Sequence, residues 1–446
     1  MKNASLLTAA VCFTFSCIHS GSAQDWPQWQ GPERNGKAAG FKAPKSWPKE
    51  LTAKWKTTVG EGDATPALVG DKLFIFSRQE GGEIIRCLDA KTGSEIWKDK
   101  YDVLPATGGA ASHSGPRANP AVVEGKVVTF GLRGTLSCYD ASSGKLLWRK
   151  EDFKGVWPQF FTAASPVIVD GRCIAQLGGG NNGGVIAYDL NTGEEKWRWT
   201  GGGPTYASPA VATIAGTRIF IAQTDQKIVG LDFKDGKALF EITPPTPGRG
   251  NICSSPIVNG DNLIYCPAGR GATAVKIEKN GDTFSTKEIW QNADNSVQYN
   301  TPVLNHGALF GLTGNNELFC IKSDGKTAWT APLAGAPAAP PGPAPAAITN
   351  ALDGAAAPPA GGGRRGGGGR GGGGGNRGYG HIVNAETVML ALTPSSELVA
   401  FEATDKAYAE LGRVKVGSSA IYAFPVVSGN RLFIKDQSDV MLYTLE

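Results

Sequence analysis

The sequence predicts an all-β protein, an eight-bladed β-propeller of four-stranded antiparallel blades whose ring is closed by an N-terminal strand. Three observations predict this fold: a motif repeated at the period of a propeller blade, short alternating apolar runs between the motifs, and a last blade that lacks one strand. The chain has 446 residues with 61 glycines and 28 prolines, and long helix-favouring runs are scarce. This composition disfavours an all-helical protein.

The repeat begins with a small polar residue followed by proline and ends with a tryptophan. Its first copy runs from Thr65-Pro66 through Asp89 and Gly93 to Trp97. Five further copies follow at steps of 43 to 54 residues, and they are marked by Pro120, Pro166, Pro209, Pro256 and Pro302. This spacing is the period of a four-stranded propeller blade.

Each part of the repeat has a physical role. Asp170-Gly171 and Asn259-Gly260 are the residue pairs of tight hairpin turns that need positive φ. In the Asp-x-x-Thr-Gly segment, the aspartate accepts local backbone hydrogen bonds and the glycine takes the left-handed conformation. The glycine and the following aromatic residue are four apart in five copies, with Phe240 in place of tryptophan in one. The aromatic side chain therefore lies on the same side of each blade, and we expect it to pack on the neighbouring blade.

Two degenerate blades complete the predicted ring. One spans Gly380 to Val416, and the other begins at Phe424 and ends at Leu445 without a fourth strand. Leu51 to Lys56, before the first copy, is expected to supply that strand and its tryptophan. Joining the two pairs otherwise open strand edges, so the predicted count is eight blades.

The N-terminus has the pattern of an export signal. A basic start at Lys2, an apolar run over residues 6–18 and small residues before Gln24 predict a signal peptide over residues 1–23. The protein is therefore expected to be exported, either periplasmic or extracellular. Lipid attachment at Cys17 is an alternative, although Thr14 stands where a lipobox would have leucine. Residues 24–50 are expected to be an N-terminal extension and residues 51–446 the propeller.

Residues 331–379 interrupt the propeller with a stretch rich in Ala, Pro, Gly and Arg. Such a composition buries too little apolar surface to order itself, so a disordered insertion is predicted. Its Arg-Gly run is similar to RNA-binding tails, but the predicted export argues against that role. The insertion follows the outer strand ending at Trp329 and precedes the next inner strand; its role is left open.

The Asp-x-x-Thr-Gly-x-x-x-Trp repeat resembles the pyrroloquinoline-quinone (PQQ) repeat family of β-propellers. The segment Asp25 to Pro32 also resembles the Trp-Pro-x-Trp-Arg-Gly-Pro opening of exported PQQ-like proteins in planctomycetes and related bacteria, with Gln30 in place of arginine. The family includes quinoprotein dehydrogenases and the propeller lipoprotein of outer-membrane protein assembly. The resemblance implies the propeller fold, whereas it leaves the activity open because propellers host many functions.

The connectors from each outer strand to the next inner strand should lie on one face, where quinoproteins bind their cofactor. The loop over residues 178–183 should lie near them. Aromatic and cationic residues in these connectors predict a small-molecule or peptide site in a funnel at that face. The candidate residues are His113, Arg117, Trp157, Tyr206, Arg249, Asn251, Tyr299 and Asn300. The alternative is a set of channel-mouth residues that hydrogen-bond one another and water.

The sequence contains few residues in arrangements typical of a catalytic site. Of four histidines, only His113 lies in a connector, which disfavours a multi-histidine metal centre or a Ser-His-Asp triad. No nucleophile elbow or phosphate-binding loop occurs. The quinoprotein resemblance implies a calcium ion held by carboxylate and amide oxygens beside the cofactor, but those positions cannot be matched in this chain. Quinoprotein alcohol dehydrogenases also carry adjacent disulfide-bonded cysteines, and no two cysteines here are adjacent. No catalytic residue, metal or cofactor is therefore expected.

The prediction for function is an exported, non-catalytic scaffold that binds a protein, peptide or glycan through its funnel face. A net charge of +4 is too weak to indicate nucleic acid, and no apolar run reaches the length of a membrane span. A monomer is expected. The alternative is a dehydrogenase of alcohols or sugars that depends on PQQ and calcium.

Six cysteines follow the predicted signal peptide. Cys87, Cys138 and Cys320 occupy the same strand position in different blades, so symmetry should keep them apart as buried free thiols. Cys253 and Cys266 would face each other across a hairpin turned at Asn259-Gly260, which would allow a disulfide. Neighbouring repeats place the turn one residue later, which would part the two sulfurs. Six free thiols are expected, with the Cys253–Cys266 bridge as the alternative.

Overall fold

The computed structural model describes residues 25–180, 182–244, 252–267, 269–333 and 378–445. Across these ranges the chain forms eight four-stranded antiparallel sheets and a single 3₁₀ turn at Gly108–Ala110. The predicted fold class is confirmed. The predicted signal peptide lies outside the described residues. In the described part of the chain, we find no helix with the length and apolar character needed to cross a membrane.

Strand β1 (Trp55–Thr58) belongs to the last blade, and the regular blades begin after it. The first two blades, inner strand first, are β2 (Ala67–Val69), β3 (Lys72–Gln79), β4 (Gly82–Asp89) and β5 (Glu95–Asp102), then β6 (Ala121–Val123), β7 (Lys126–Phe130), β8 (Leu136–Asp140) and β9 (Leu146–Lys150). The next two are β10 (Val167–Val169), β11 (Arg172–Gly179), β12 (Asn182–Asp189) and β13 (Glu195–Trp199), then β14 (Ala210–Ile214), β15 (Thr217–Gln223), β16 (Ile228–Asp232) and β17 (Ala238–Ile242).

The remaining blades are less regular in sequence but have the same architecture. The fifth and sixth are β18 (Ile257–Asn259), β19 (Asn262–Tyr265), β20 (Ala272–Asn280) and β21 (Thr283–Asn292), then β22 (Val303–Asn305), β23 (Ala308–Leu312), β24 (Glu317–Ile321) and β25 (Thr327–Pro332). The seventh and eighth are β26 (His381–Ala385), β27 (Val388–Leu392), β28 (Glu397–Glu402) and β29 (Glu410–Lys415), then β30 (Val426–Ser428), β31 (Arg431–Lys435) and β32 (Asp439–Thr444).

The ring closes where β1 pairs with β32. The pairing is antiparallel and runs from Trp55 opposite Leu442 to Thr58 opposite Asp439. The eighth blade therefore takes its outer strand from the N-terminal side of the chain, as predicted. The strand begins at Trp55 rather than at the predicted Leu51, and the Leu51 side chain packs against a buried apolar cluster.

Tryptophans fasten neighbouring blades together. The indole of Trp97 donates to the carbonyl oxygen of Ala141 at 3.2 Å and covers Gly144, where a Cβ atom would lie 2.5 Å from the ring. Gly144 has φ +74°, so the turn requires glycine for its backbone and for its missing side chain. The same indole-on-glycine contact recurs for Trp55 on Gly93, Trp148 on Gly193, Trp197 on Gly236 and Trp290 on Gly325. The predicted packing on the next blade is confirmed.

The residue before each inner strand's proline links one blade to the next. The Thr65 amide donates to Asn119 Oδ1 at 2.9 Å, and the Asn119 amide donates to Ser165 Oγ at 3.0 Å. Equivalent bonds join Ser165 to Ser208, Ser255 to Thr301, and Phe424 to Thr65. A buried amide with no strand partner is thus satisfied by the next blade. The repeat motif was recognised in the sequence, but this linking role of its first residue was not predicted.

Residues 25–38 form an N-terminal plug in the central channel. Trp26 is fully buried and pairs with Leu68 of β2 in both directions, at 2.8 and 2.9 Å. Asp25 Oδ1 accepts from the Gly70 amide at the face opposite the funnel, and Lys37 bridges in parallel to Asn384 of β26. The plug therefore enters from that opposite face, rises along the channel and returns.

A partly buried arginine anchors the plug to the far side of the channel. Arg34 donates to Pro209 O at 2.6 Å and to Gln28 Oε1 at 3.1 Å, and burial lowers its pKa to about 10. A Cβ atom on Gly36 would lie 2.7 Å from Val303 of β22. The N-terminal extension predicted from the sequence had no assigned place, and these contacts locate residues 25–38 on the propeller axis.

One hairpin differs from its predicted register. Asn259 pairs with Asn262, so the turn residues are Gly260 and Asp261 rather than Asn259 and Gly260. Gly260, with φ +60°, takes the first central position of the turn, as Gly70 and Gly429 do in their blades. Cys253 and Cys266 are consequently not opposed. All six described cysteines are free thiols, and the alternative disulfide does not form.

The predicted insertion at residues 331–379 is too long at both ends. Ala331 and Pro332 belong to β25 and pair with Leu318 and Glu317, because the sheet continues past Trp329. At the other end, Tyr379 packs among aromatic side chains. Residues 334–377 lie outside the described residues.

Candidate functional site

The connectors between outer and inner strands surround a funnel cavity of about 380 Å³ at the mouth of the central channel. Its lining comes from most of the blades and from the N-terminal plug. The lining residues are Trp29, Asp63, Thr65, Gly109, Ala110, His113, Arg117, Asn119, Phe160, Ala163, Tyr206, Ser208, Cys253, Tyr299, Tyr379, His381 and Tyr422.

Some of the sequence-predicted site residues come together in this funnel cavity and others do not. His113, Arg117, Tyr206 and Tyr299 line it. Trp157 lies to one side, stacked on Phe161 with centroids 5.7 Å apart. The buried Asn300 amide donates to Leu312 O at 2.7 Å. Arg249 and Asn251 lie outside the described residues.

Arg117 is held rigidly in the funnel wall. Its Nη2 donates to His113 O at 2.9 Å, and its Nη1 donates to Phe160 O. Among the described residues, no carboxylate lies within 4 Å of its guanidinium. Burial lowers the pKa of Arg117, and the field of Asp63 opposes that shift. The result is a fixed, partly desolvated cation without an ion-pair partner in the described residues.

Asp63 is the carboxylate of the cavity lining, and it binds His113 rather than Arg117. Its Oδ2 accepts from His113 Nδ1 at 2.7 Å, and the His113 ring meets Tyr422 edge-on with centroids 4.7 Å apart. Lys435, which is 1% exposed, donates to Gly62 O at 2.7 Å, and burial lowers its pKa to about 8 although Asp63 favours its charged form.

Tyrosines form one wall of the funnel cavity. Tyr299 and Tyr379 stack with centroids 4.1 Å apart, and Tyr422 meets Tyr379 edge-on at 5.3 Å. Tyr206 Oη accepts from the Phe160 amide at 3.0 Å, which fixes a second aromatic side of the cavity. Large aromatic faces beside a cation suit an apolar group attached to an anion.

The N-terminal plug forms the floor. Trp29 meets Phe424 edge-on with centroids 5.7 Å apart and His381 at 6.2 Å. His381 Nε2 donates to Tyr422 O at 2.8 Å, and burial lowers the pKa of His381 to about 4. The floor is therefore uncharged near neutral pH.

Sequence reasoning missed Trp29, Asp63, Tyr379, His381 and Tyr422. Tyr379 was included in the low-complexity insertion, and Tyr422 precedes the inner strand of a degenerate blade. Applying the connector rule to the degenerate blades would have found both. Trp29 lies outside any repeat, so no periodic signal could have located it in the channel.

The lining does not fit a calcium-bound quinone. Calcium takes six to eight oxygen ligands, usually including several carboxylates. The funnel cavity offers one carboxylate, Asp63, which is bound to His113. Across the part of the chain that the structure describes, no group of three or more His, Cys, Asp or Glu side chains is arranged to hold a metal ion.

Comparison with known sequences places two kinds of protein beside this chain. A model of the family described as outer membrane protein assembly factor BamB matches residues 80–331. BamB of Xanthomonas campestris is 23% identical over 274 residues, which cover 58% of this chain and 63% of that protein. A quinohemoprotein alcohol dehydrogenase of Comamonas testosteroni is 29% identical over 140 residues, which cover 31% of this chain and 19% of that protein. The chain thus spans less than two thirds of either relative.

The similar solved structures include the same two kinds of protein. BamB of Moraxella catarrhalis superposes with a TM-score of 0.61 at 14% identity, covering 88% of this chain and 99% of that one. A europium-containing methanol dehydrogenase superposes with a TM-score of 0.66 at 12% identity, covering 95% and 98%. At such identities the likeness concerns the fold alone.

Proposed function

The chain belongs to the family described as outer membrane protein assembly factor BamB, and we propose that it is an exported, non-catalytic β-propeller that binds a partner through its funnel face. The partner is a protein, peptide or glycan. The proposal needs no cofactor or metal.

The composition of the funnel cavity is the observation that carries this proposal. It combines aromatic walls, one rigid cation and a closed floor, which are features of recognition. Its groups are poorly suited to chemistry: burial raises the pKa of the Cys253 thiol to about 12, so the thiolate needed for nucleophilic attack is scarce. Asp63 and His113 are bound to each other, with 2.7 Å between Oδ2 and Nδ1.

The comparisons favour a protein or peptide within the proposed partner classes. The relatives named BamB are assembly factors for outer membrane proteins, so their work concerns polypeptides. The same names and the N-terminal signal pattern support export to the periplasm or beyond. The distinct connectors around the funnel provide a surface on which such a partner can be selected.

Site-specific cross-linking tests the proposal. A photoreactive amino acid replaces Tyr299 in the funnel wall, and in a control it replaces Lys91 in the turn between β4 and β5 at the opposite face. After illumination in the producing organism, we expect discrete adducts from position 299 and none from position 91. Equal adducts at both positions, or adducts at position 91 alone, would reject funnel-face binding.

The quinohemoprotein relative supports a second candidate, a dehydrogenase of alcohols or sugars that depends on PQQ and calcium. Incubation with PQQ and Ca²⁺ followed by absorbance spectroscopy and dye-linked oxidation of an alcohol and sugar panel tests it. Saturable PQQ binding with turnover would replace the scaffold proposal. Absence of both would reject the dehydrogenase.

A further inference from the structure

We infer that the funnel cavity captures the carboxyl terminus of a partner polypeptide, with the terminal carboxylate on Arg117. This inference rests on the proposed partner-binding function and names the part of the partner that enters. Three independent features of the cavity lead to it.

The first feature is a guanidinium group that has no ion-pair partner among the described residues. The Arg117 guanidinium is held by the carbonyl oxygens of His113 and Phe160, and no carboxylate of the described residues lies within 4 Å. A desolvated charge is costly unless an opposite charge or hydrogen bonds compensate it. Two neutral acceptors compensate it only in part. A bound carboxylate would supply the counter-charge in the planar geometry that guanidinium groups prefer.

The same charges argue against the amino terminus of a partner. An ammonium group would have to share Asp63 with His113, whose Nδ1 lies 2.7 Å from Oδ2. It would also lie beside the positive guanidinium of Arg117. The funnel cavity therefore favours an anionic chain end over a cationic one.

The second feature is a closed floor. Trp29 lines the cavity from below, and beneath it Trp26 is fully buried while Arg34 donates to Pro209 O across the channel. A chain cannot pass through the ring. An interior segment of a partner would have to enter and turn back within about 380 Å³, whereas a chain end enters directly.

The third feature is the aromatic wall. The stacked pair Tyr299 and Tyr379 faces the cavity together with Phe160 and Tyr206. A terminal residue with its carboxylate on Arg117 would place its side chain against these rings. We therefore expect preference for an aromatic or large aliphatic last residue.

Paired peptides test the inference. A fluorescent hexapeptide series ends in each of the twenty amino acids, once as the free acid and once as the amide, and binding is measured by anisotropy. Free acids with aromatic or large aliphatic ends should bind at least tenfold more tightly than their amides. Equal binding of acids and amides across the series would overturn the inference.

Two variants and one competitor locate the contact. Arg117→Gln should bind acid and amide equally, whereas Arg431→Gln, at the opposite face, should keep the acid preference; thermal melts verify that both variants are folded. An Arg117→Gln protein that retains the preference would overturn the role of Arg117. If 3-phenylpropanoate competes as tightly as the best peptide binds, the cavity takes small acids and the polypeptide assignment is wrong.

The experimental outcomes distinguish a failure of carboxyl-terminus capture from a failure of partner binding. Cross-linking at position 299 without any acid preference would reject carboxyl-terminus capture and leave partner binding in place. Adducts restricted to position 91 would reject both. Because the comparison of acid with amide on the unaltered protein uses no variant, it holds even if Arg117→Gln fails to fold.

Discussion

The two faces of the ring are built on different plans. At the face opposite the funnel, the turns repeat one design, in which a positive-φ glycine lies under the tryptophan of the preceding blade in five of the interfaces. At the funnel face, each connector has its own sequence and length. The repeated face holds neighbouring blades together, and the varied face is therefore free to carry a binding site.

The N-terminal segment joins the two faces, and removing it should have the largest effect. Deleting residues 24–57 removes the N-terminal plug and most of β1. Loss of a buried tryptophan alone costs about 3–5 kcal/mol, and Trp26 is fully buried. We expect no cooperative unfolding transition by circular dichroism. A truncated protein that stays soluble and melts like the full chain would show that neither feature is needed for closure.

Substitution of a glycine at the face opposite the funnel should have the second-largest effect on stability. In Gly144→Ala, the new Cβ meets the Trp97 ring at 2.5 Å in a turn with φ +74°. We expect a loss of about 2–4 kcal/mol in the free energy of unfolding, measured with urea.

Gly125→Ala is the matched control for that substitution. Gly125 has φ +72° with nothing within 4 Å of its Cβ position, so it should lose only about 1 kcal/mol. Equal losses in the two variants would mean that the indole contact contributes nothing beyond backbone strain.

The funnel floor should give a pH-dependent effect of moderate size. Burial lowers the pKa of His381 from 6.5 to about 4, so between these values the unfolded chain binds a proton that the folded chain does not. Stability should therefore fall as the pH drops through this window. The His381 contribution is about 2 kcal/mol between pH 7 and pH 5.

The change is measured as the difference between the wild-type protein and His381→Gln in denaturant titrations at both pH values. The glutamine can still donate to Tyr422 O but does not titrate. If the two proteins lose the same stability on acidification, the imidazole is not kept neutral by the fold.

Replacing residues 334–377 with a short linker should have the smallest effect. The residues that flank this segment both bind Asn316: the Leu333 amide donates to its carbonyl oxygen at 3.0 Å, and the Gly378 amide donates to its Oδ1 at 2.8 Å. A short linker can therefore join them, and long loops add little free energy per residue. We expect a nearly unchanged melting temperature. A drop of more than about 5 °C would show that the segment packs on the ring.

The features that repeat along the chain could be predicted from the sequence, and the features outside the repeat could not. The spacing of Gly93 and Trp97 located the blade contacts, and the missing strand of the last blade located β1, because both depend on local periodicity. The hairpin at Gly260 was placed one residue off, since glycine can occupy either central position of such a turn. Trp29 was missed because it lies outside the repeats, and Tyr379 was missed because it was assigned to the low-complexity insertion.

The N-terminal plug has a consequence for the order of assembly. Its residues contact Leu68, Val122, Pro209, Val303 and Asn384, which belong to the first, second, fourth, sixth and seventh blades. The part of the chain that is synthesised early can therefore be seated fully only after residue 384 has been made. Trp26 and Trp29 gain their shared aromatic partner, Phe424, later still. The earliest-made part of the described chain is thus the last to find its place, which makes completion of the ring a checkpoint for the whole molecule.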